Sequence, residues 1–322
     1  MGESMFGLDM KDRKILFQLD KNARQSNSQI AKKVGLSTEV VAYRIKRFEE
    51  RGVVTHYQTV LNLSKLGVIH FKIALSFRHA KSEDTNKALK KLHLHKKVKW
   101  IASCKGGWDM LIALEAKSIC EIGKLKSEIL SYFGDKISGK ALSIGISASV
   151  FDRSFILDGG RPRVRTLIED TKKIELDSVD VKILKSLGGN SRKPIVDIAT
   201  ELNSTARVVN YRIRQMMKSG LIQGFRIAID YEKLGLLFYK GFVYLDNIKD
   251  SRVKDLIRYF ELHPNIIHHV EVLGNWDMEP EFEVSSADEL DAILTDMKDG
   301  FSDIIQGVDI ITVSKEHKFV YY

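Results

Sequence analysis

A single offset of 168 residues lays the first half of this chain on the second without a gap at the landmarks. Leu8-Asp9, Asp12 and Lys14-Ile15-Leu16 recur as Leu176-Asp177, Asp180 and Lys182-Ile183-Leu184. Further on, Ile30-Ala31 answers Ile198-Ala199, Tyr43-Arg44-Ile45 answers Tyr211-Arg212-Ile213, and Leu66-Gly67 answers Leu234-Gly235. The last landmark pairs Gly106-Gly107-Trp108-Asp109 with Gly274-Asn275-Trp276-Asp277. A register held for so long means a duplication, so the chain has to fold as two tandem copies of one unit. Between them, residues 152–175 carry Gly159-Gly160-Arg161-Pro162 and several charges with little apolar periodicity, as expected of a linker.

Within the first copy, Ile15, Leu16 and Leu19 fall at helical spacing, and residues 29–34 make a short second run around Ile30 and Val34. Gly35 stops that run, Ser37 is a good N-cap, and Val41, Ile45 and Phe48 give the next helix one buried stripe before Gly52 ends it. This is a helix-turn-helix pattern. Residues 53–61 and, in the second copy, 221–229 are β-prone and are expected to form the wings that follow the recognition helices. After Gly67 the order becomes strand 69–77, helix 83–94, strand 98–104, strand 108–115, helix 119–132 and strand 141–150. That β-α-β-β-α-β order fits a ferredoxin-like sandwich whose second sheet face needs cover. The expected fold class is α+β: a winged helix-turn-helix at 1–60, a sandwich at 61–151, a linker at 152–175, a second winged helix-turn-helix at 176–230 and a second sandwich at 231–322.

Leu36-Ser37 with Val41, Arg44-Ile45, Phe48 and Gly52-Val53-Val54, ahead of a sandwich bearing Gly-x-Trp-Asp, resembles the Lrp/AsnC family of feast/famine transcription regulators. The resemblance covers nearly the whole chain, once per copy. It implies promoter binding by the helix-turn-helix, and a sandwich that pairs face to face with another and often binds an amino acid or similar effector. Where family members usually carry one copy and dimerise, this chain carries both halves of a pseudo-dimer.

On the first recognition helix the buried stripe leaves Thr38, Glu39, Ala42, Tyr43, Lys46 and Arg47 for a DNA groove; on the second it leaves Arg207, Asn210, Tyr211, Arg214 and Lys218. Residues 205–220 hold four basic residues and no acid, against four basic and three acidic in 37–52, so the second helix is expected to be the stronger binder. Arg44 and Arg212 are read instead as internal tethers to Asp12 and Asp180. By resemblance, Gly106, Trp108 and Asp109, with Gly274, Trp276 and Asp277, border an effector pocket; the alternative is a tight hairpin turn capped by a packed Trp.

The two sandwiches differ most in charge. Residues 61–151 carry +9 and residues 231–322 carry −9, while both helix-turn-helix segments are +4. Opposite potentials favour pairing of the two sandwiches within one chain over pairing of like with like. In the second copy, residues 276–284 alternate strictly and align Asp277, Glu279, Glu281 and Glu283, a face that is a candidate site for lysines of the other half or a cationic effector; equally, Pro280 suits an edge or bulge where these acids are solvated.

The leading expectation is a sequence-specific, cytoplasmic DNA-binding regulator reading an asymmetric operator, with double-stranded DNA as partner, further homo-oligomers allowed, and no cofactor, no metal and no membrane span. No run approaches 18 apolar residues, and the two cysteines, Cys104 and Cys120, suit a reducing compartment. The alternative is an enzyme, since this architecture also resembles sirohaem decarboxylases; His268, His269, Tyr239 and Lys240 are then the candidates near a tetrapyrrole.

Overall fold

The computed structural model describes residues 7–157 and 162–320; the Gly159-Gly160-Arg161 part of the expected linker lies outside them. Helices α1 (Met10–Lys21), α2 (Asn27–Val34) and α3 (Thr38–Glu50) form the first helix-turn-helix, and α6 (Ser178–Gly189), α7 (Ile195–Glu201) and α8 (Ala206–Lys218) the second. Asp9, Ser26 and Ser37 cap the first three through their side chains, and Asp177 and Thr205 cap α6 and α8. The apolar stripes meet as expected: Ile15, Leu16, Leu19, Ile30, Val41, Ile45 and Phe48 are all buried. The tight turn between α2 and α3 needs a left-handed residue, supplied by Gly35 at φ +66°. In the second copy the same place is held by Asn203 at φ +51°, the residue type that best tolerates that conformation after glycine.

Strands β2 (Ile69–Phe77), β3 (Val98–Lys105), β4 (Met110–Ala116) and β5 (Ile137–Phe151), with helices α4 (Ser82–Leu94) and α5 (Ile119–Ser131), make the first sandwich. Strands β8 (Leu237–Leu245), β9 (Ile266–Leu273), β10 (Glu281–Val284) and β11 (Ile305–Phe319), with α9 (Asp250–Leu262) and α10 (Ala287–Gly300), make the second. Each sheet runs in ferredoxin-like order, β5-β2-β4-β3 and β11-β8-β10-β9. The helices pack on one face of each, over Phe71, Ile73 and Ile112 in the first and Val243, Ile266 and Phe282 in the second.

The last strand of each sandwich is long, and its second half crosses to the other sheet. From Ile144 to Val150, β5 pairs with β9, and from Thr312 to Phe319, β11 pairs with β3. With β2 also paired to β5, the eight strands close into a ring whose inner wall is the helix-free face of both sheets.

One expectation gains a detail and another needs correction. The tracts expected to be wings, β1 (Val54–Leu61) and β7 (Ile222–Ile229), pair with each other in one antiparallel ribbon, Gln58 opposite Arg226. Being copies of one element, each offers the other a full ladder for a bare edge. The expected linker is also built into the fold. Ser154–Leu157 form a turn packed on α1, and β6 (Val164–Ile168) adds to β5 with Phe151 opposite Val164. Within it Arg165 is fully buried, 2.5 Å from Asp152 and donating to the Lys21 carbonyl. Buried opposite charges that satisfy one another leave no mark in composition.

Candidate nucleic-acid interface and the chamber behind it

Asp9 and Asp12 face Arg44 at 2.7 Å each, and Asp177 and Asp180 face Arg212 at 2.7 and 3.4 Å, so both arginines tie the recognition helix to the first helix of its copy. Arg47, expected at the DNA groove, makes the same kind of tether, 2.7 Å from Asp12. Its equivalent in the second copy is Gln215, which asks for no carboxylate. Among the other expected DNA residues, Thr38, Glu39, Tyr43 and Lys46 are exposed on α3, with Ala42 half-buried and Lys46 3.5 Å from Glu50. On α8, Arg207, Tyr211, Arg214 and Lys218 are exposed and Asn210 is half-buried. Arg207, Arg214 and Lys218 make no ion pair among the described residues. The second helix therefore presents three free cations, whereas the first uses its two arginines internally.

The Gly-x-Trp-Asp turns meet across the two copies, the Trp108 and Trp276 rings lying 6.2 Å apart. Asp109 accepts the Phe77 N–H and Asp277 the Leu245 N–H, both at 2.7 Å, so each aspartate caps the end of a neighbouring strand. Gly274 lies where a Cβ would come 2.8 Å from the Leu142 carbonyl, and Gly106 has φ +125°. Trp276 is buried and donates to Glu279 at 2.9 Å, whereas Trp108 is half-buried. Each of these residues thus has a packing or capping role in its turn.

Of the aligned carboxylates in 276–284, only Glu281–Val284 form regular strand; Pro280 interrupts the tract, yet Glu279, Glu281 and Glu283 still face the ring interior. Lys72 of the first copy and Lys240 of the second both engage Glu279, the latter at 3.1 Å, and Lys240 also lies 2.7 Å from Glu281. Burial pushes the Glu279 carboxyl up, but Lys72 and Lys240 outweigh it and hold the group far below the usual carboxylate range. His268 lies 3.3 Å from Glu281, whereas His269 points to the helical side and stacks on Phe151, and Tyr239 packs into that same helical core. The four histidine, tyrosine and lysine candidates therefore do not share one site.

A second ionic hub joins the modules. Asp20 at the end of α1 accepts from Arg153 at 2.9 Å and from Arg226 of β7 at 2.9 Å, and Arg153 also clamps Glu283 at 2.7 Å. Sequence reasoning missed this hub, because none of these residues stands in a motif; the usable signal was a charge at an inward position, such as Lys72 between Phe71 and Ile73 or Arg226 between Phe225 and Ile227. Between ribbon and ring lies a cavity of about 600 Å³ lined by both copies, including Gln58, His70, Trp100, Arg226, Glu281 and Glu316.

Two paired helix-turn-helix modules on one ribbon, each with an exposed recognition helix, define a DNA-binding protein. The family model described as winged helix-turn-helix DNA-binding matches residues 8–55 and 176–223. A proline dehydrogenase transcriptional activator of Rhodobacter capsulatus is 36% identical over 128 residues, 38% of this chain and 81% of that protein. The HTH-type transcriptional regulator FL11 of Pyrococcus horikoshii is 27% identical over 146 residues, 45% of this chain and 94% of its own length, as expected if one copy here equals one such regulator. Over the whole chain, the solved structure of the siroheme decarboxylase NirDL has the same fold, with a TM-score of 0.63 at 11% identity, covering 96% of this chain and 93% of that one. The chain belongs to the Lrp/AsnC family of DNA-binding transcription regulators, in a tandem form. Among the described residues no helix is long and apolar enough to cross a membrane.

Proposed function

We propose that this protein is a sequence-specific regulator, acting in the cytoplasm and not as an enzyme, whose two halves pair within the chain and read an asymmetric operator. The observation that carries this reading is the unlike chemistry of two recognition helices held on one ribbon: α8 with three unpaired cations, α3 with Arg44 and Arg47 bound to Asp9 and Asp12. Unlike helices select unlike half-sites, and the ribbon limits their separation, so half-site centres should fall about one helical turn, roughly 10 bp, or a multiple apart. Asn210 and Arg214 on α8 are types that pair with adenine and guanine edges. The enzyme alternative draws on fold alone, and Lys72, Lys99, Arg153 and Arg226 in the cavity are each already engaged by a carboxylate, which leaves them unsuited to hold propionates.

Selection from random duplex DNA, followed by anisotropy titration against scrambled competitor at several salt concentrations, tests the reading. A non-palindromic site whose binding survives competitor and weakens steeply with salt is the expected result. A palindromic site, or binding abolished by any competitor, overturns it.

A further inference from the structure

The cavity between the ribbon and the strand ring has a particular imbalance of partners. Most of its cations face carboxylates: Lys72 meets Glu279, Lys99 meets Glu115 at 3.3 Å, Arg153 meets Glu283 and Asp20, and Arg226 meets Asp20, while Lys318 donates to the His93 and His95 carbonyls and Lys315 is exposed, with no ion pair among the described residues. Glu281 is held by Lys240 and His268. Glu316 of β11 differs. Its side chain is exposed to the half-open cavity. It accepts only the Trp100 indole N–H, at 2.5 Å, and makes no ion pair among the described residues.

Two residues lining the same space carry buried polar atoms without a partner among the described residues, the Gln58 amide oxygen and Nδ1 of His70. A carboxylate and an amide oxygen are acceptors, and an ammonium group brings three donors and no acceptor. The rest of the lining is largely apolar, with Trp100, Val150, Leu167, Phe238 and Ile267 all buried around it. A cavity of about 600 Å³ with an apolar wall and few polar groups in need of partners has the form of a small-molecule site.

We propose that this cavity binds a small primary amine with an apolar body, its ammonium group on Glu316 and its body against Trp100, Val150 and Ile267. A ligand carboxylate beside Glu316 would be repelled, and Lys72, Lys99, Arg153 and Arg226 already face carboxylates, so an amine is preferred over an amino acid. The site is separate from the Gly-x-Trp-Asp turns. Thr55 and Gln58 of β1 and Ala228 of β7 also line the cavity, so the occupant touches the ribbon that carries both recognition helices. That coupling to DNA rests on the proposed function; the binding itself does not.

The test is calorimetry and tryptophan fluorescence on the full-length protein without DNA, using phenethylamine, phenethyl alcohol and 3-phenylpropionate. Saturable binding of phenethylamine is expected, with the alcohol and the carboxylate each weaker by about tenfold or more, the scale of one charge-assisted hydrogen bond. Glu316→Gln, which keeps an acceptor for the Trp100 indole, is expected to weaken the amine about tenfold and leave the alcohol unchanged. Ala148→Leu, which narrows the cavity from the opposite copy, should weaken both. Equal binding of amine and alcohol, an unaffected Glu316→Gln variant, or no saturable binding of phenethylamine overturns the proposal. A DNA titration with and without phenethylamine then reads the coupling, so failure of DNA binding cannot be mistaken for failure of the site.

Discussion

Arg44 and Arg47 stand one turn apart on α3 and share Asp12, so the residue type alone did not separate tether from DNA contact. Arg44 was legible as a tether because Arg212 and Asp180 repeat it; Arg47 was not, because the second copy has Gln215 at its place and so gives no second instance. The same distinction predicts two unlike variants. Arg214→Ala should weaken DNA binding and reduce the magnitude of the salt slope by about one if its contact is a phosphate. Arg47→Ala should instead lower stability by about 1 kcal/mol, read by urea unfolding, because it leaves Asp12 with one of its two guanidinium partners. Glu316 gives a prediction in pH. Desolvation within the cavity, with Glu281 and Glu283 nearby, raises its carboxyl to about 7 despite the Trp100 hydrogen bond, against an ordinary value of 4.5. Between those two values the folded state holds a proton that the unfolded state has released, so this group's contribution to stability falls as pH rises through that window and is flat above it. Comparing melting temperatures of the wild type and Glu316→Gln isolates that contribution from the buried histidines, whose effect has the opposite sign. The variant should gain relative to wild type from pH 5 to about 7 and hold that gain to pH 8; a difference constant across this range would sink the assignment.

Elements with their own periodicity were the most legible: the helix stripes, the order of the sandwich and the left-handed turn at Gly35. Pairing between elements was not, since β1 and β7 read as β-prone tracts whatever they pair with, and a period of two does not name the neighbour. The connection between copies misled for a different reason, Arg153 and Arg165 being neutralised by Asp20 and Asp152 inside the fold. Asp20 links three elements, α1, β7 and the turn after β5, and its equivalent in the second copy is Gly188, which has no side chain with which to repeat the hub. The duplication therefore gave no second instance from which to recognise it. Asp20→Asn leaves two buried guanidiniums without their shared carboxylate and should cost about 3–5 kcal/mol in urea unfolding. Asp135→Asn makes the same chemical change at an exposed site, where the ion pair is with the neighbouring Lys136 at 3.3 Å, and should cost under about 0.5 kcal/mol. If the two variants unfold alike, the hub is not what joins the helix-turn-helix to the sandwich.

Across the whole molecule the duplication was plain, but the reason that the copies are not interchangeable lies in the ring interior. Applying the 168-residue offset, Lys72 is matched by Lys240, whereas Glu279 is matched by Leu111, Glu281 by Ala113 and Glu316 by Ala148. Two first copies paired through this face would bury Lys72 twice with no Glu279 to meet it. Two second copies would bury two lysines against a surplus of carboxylates. Only the mixed pair sets Lys72 and Lys240 on Glu279, so the net charges of +9 and −9 on the sandwiches are the outer sign of a preference built at close range. Separately produced halves, mixed in equal amounts and followed by sedimentation, are therefore expected to form the mixed dimer in preference to either self-pair. Raising salt to 1 M, where the screening length falls to about 3 Å, should slow their association while the preference persists, because the buried pairs are screened far less than the surface field. Self-pairs as abundant as the mixed dimer, or a preference that vanishes with salt, would place the selectivity in the surface charge instead of in Lys72, Lys240 and Glu279.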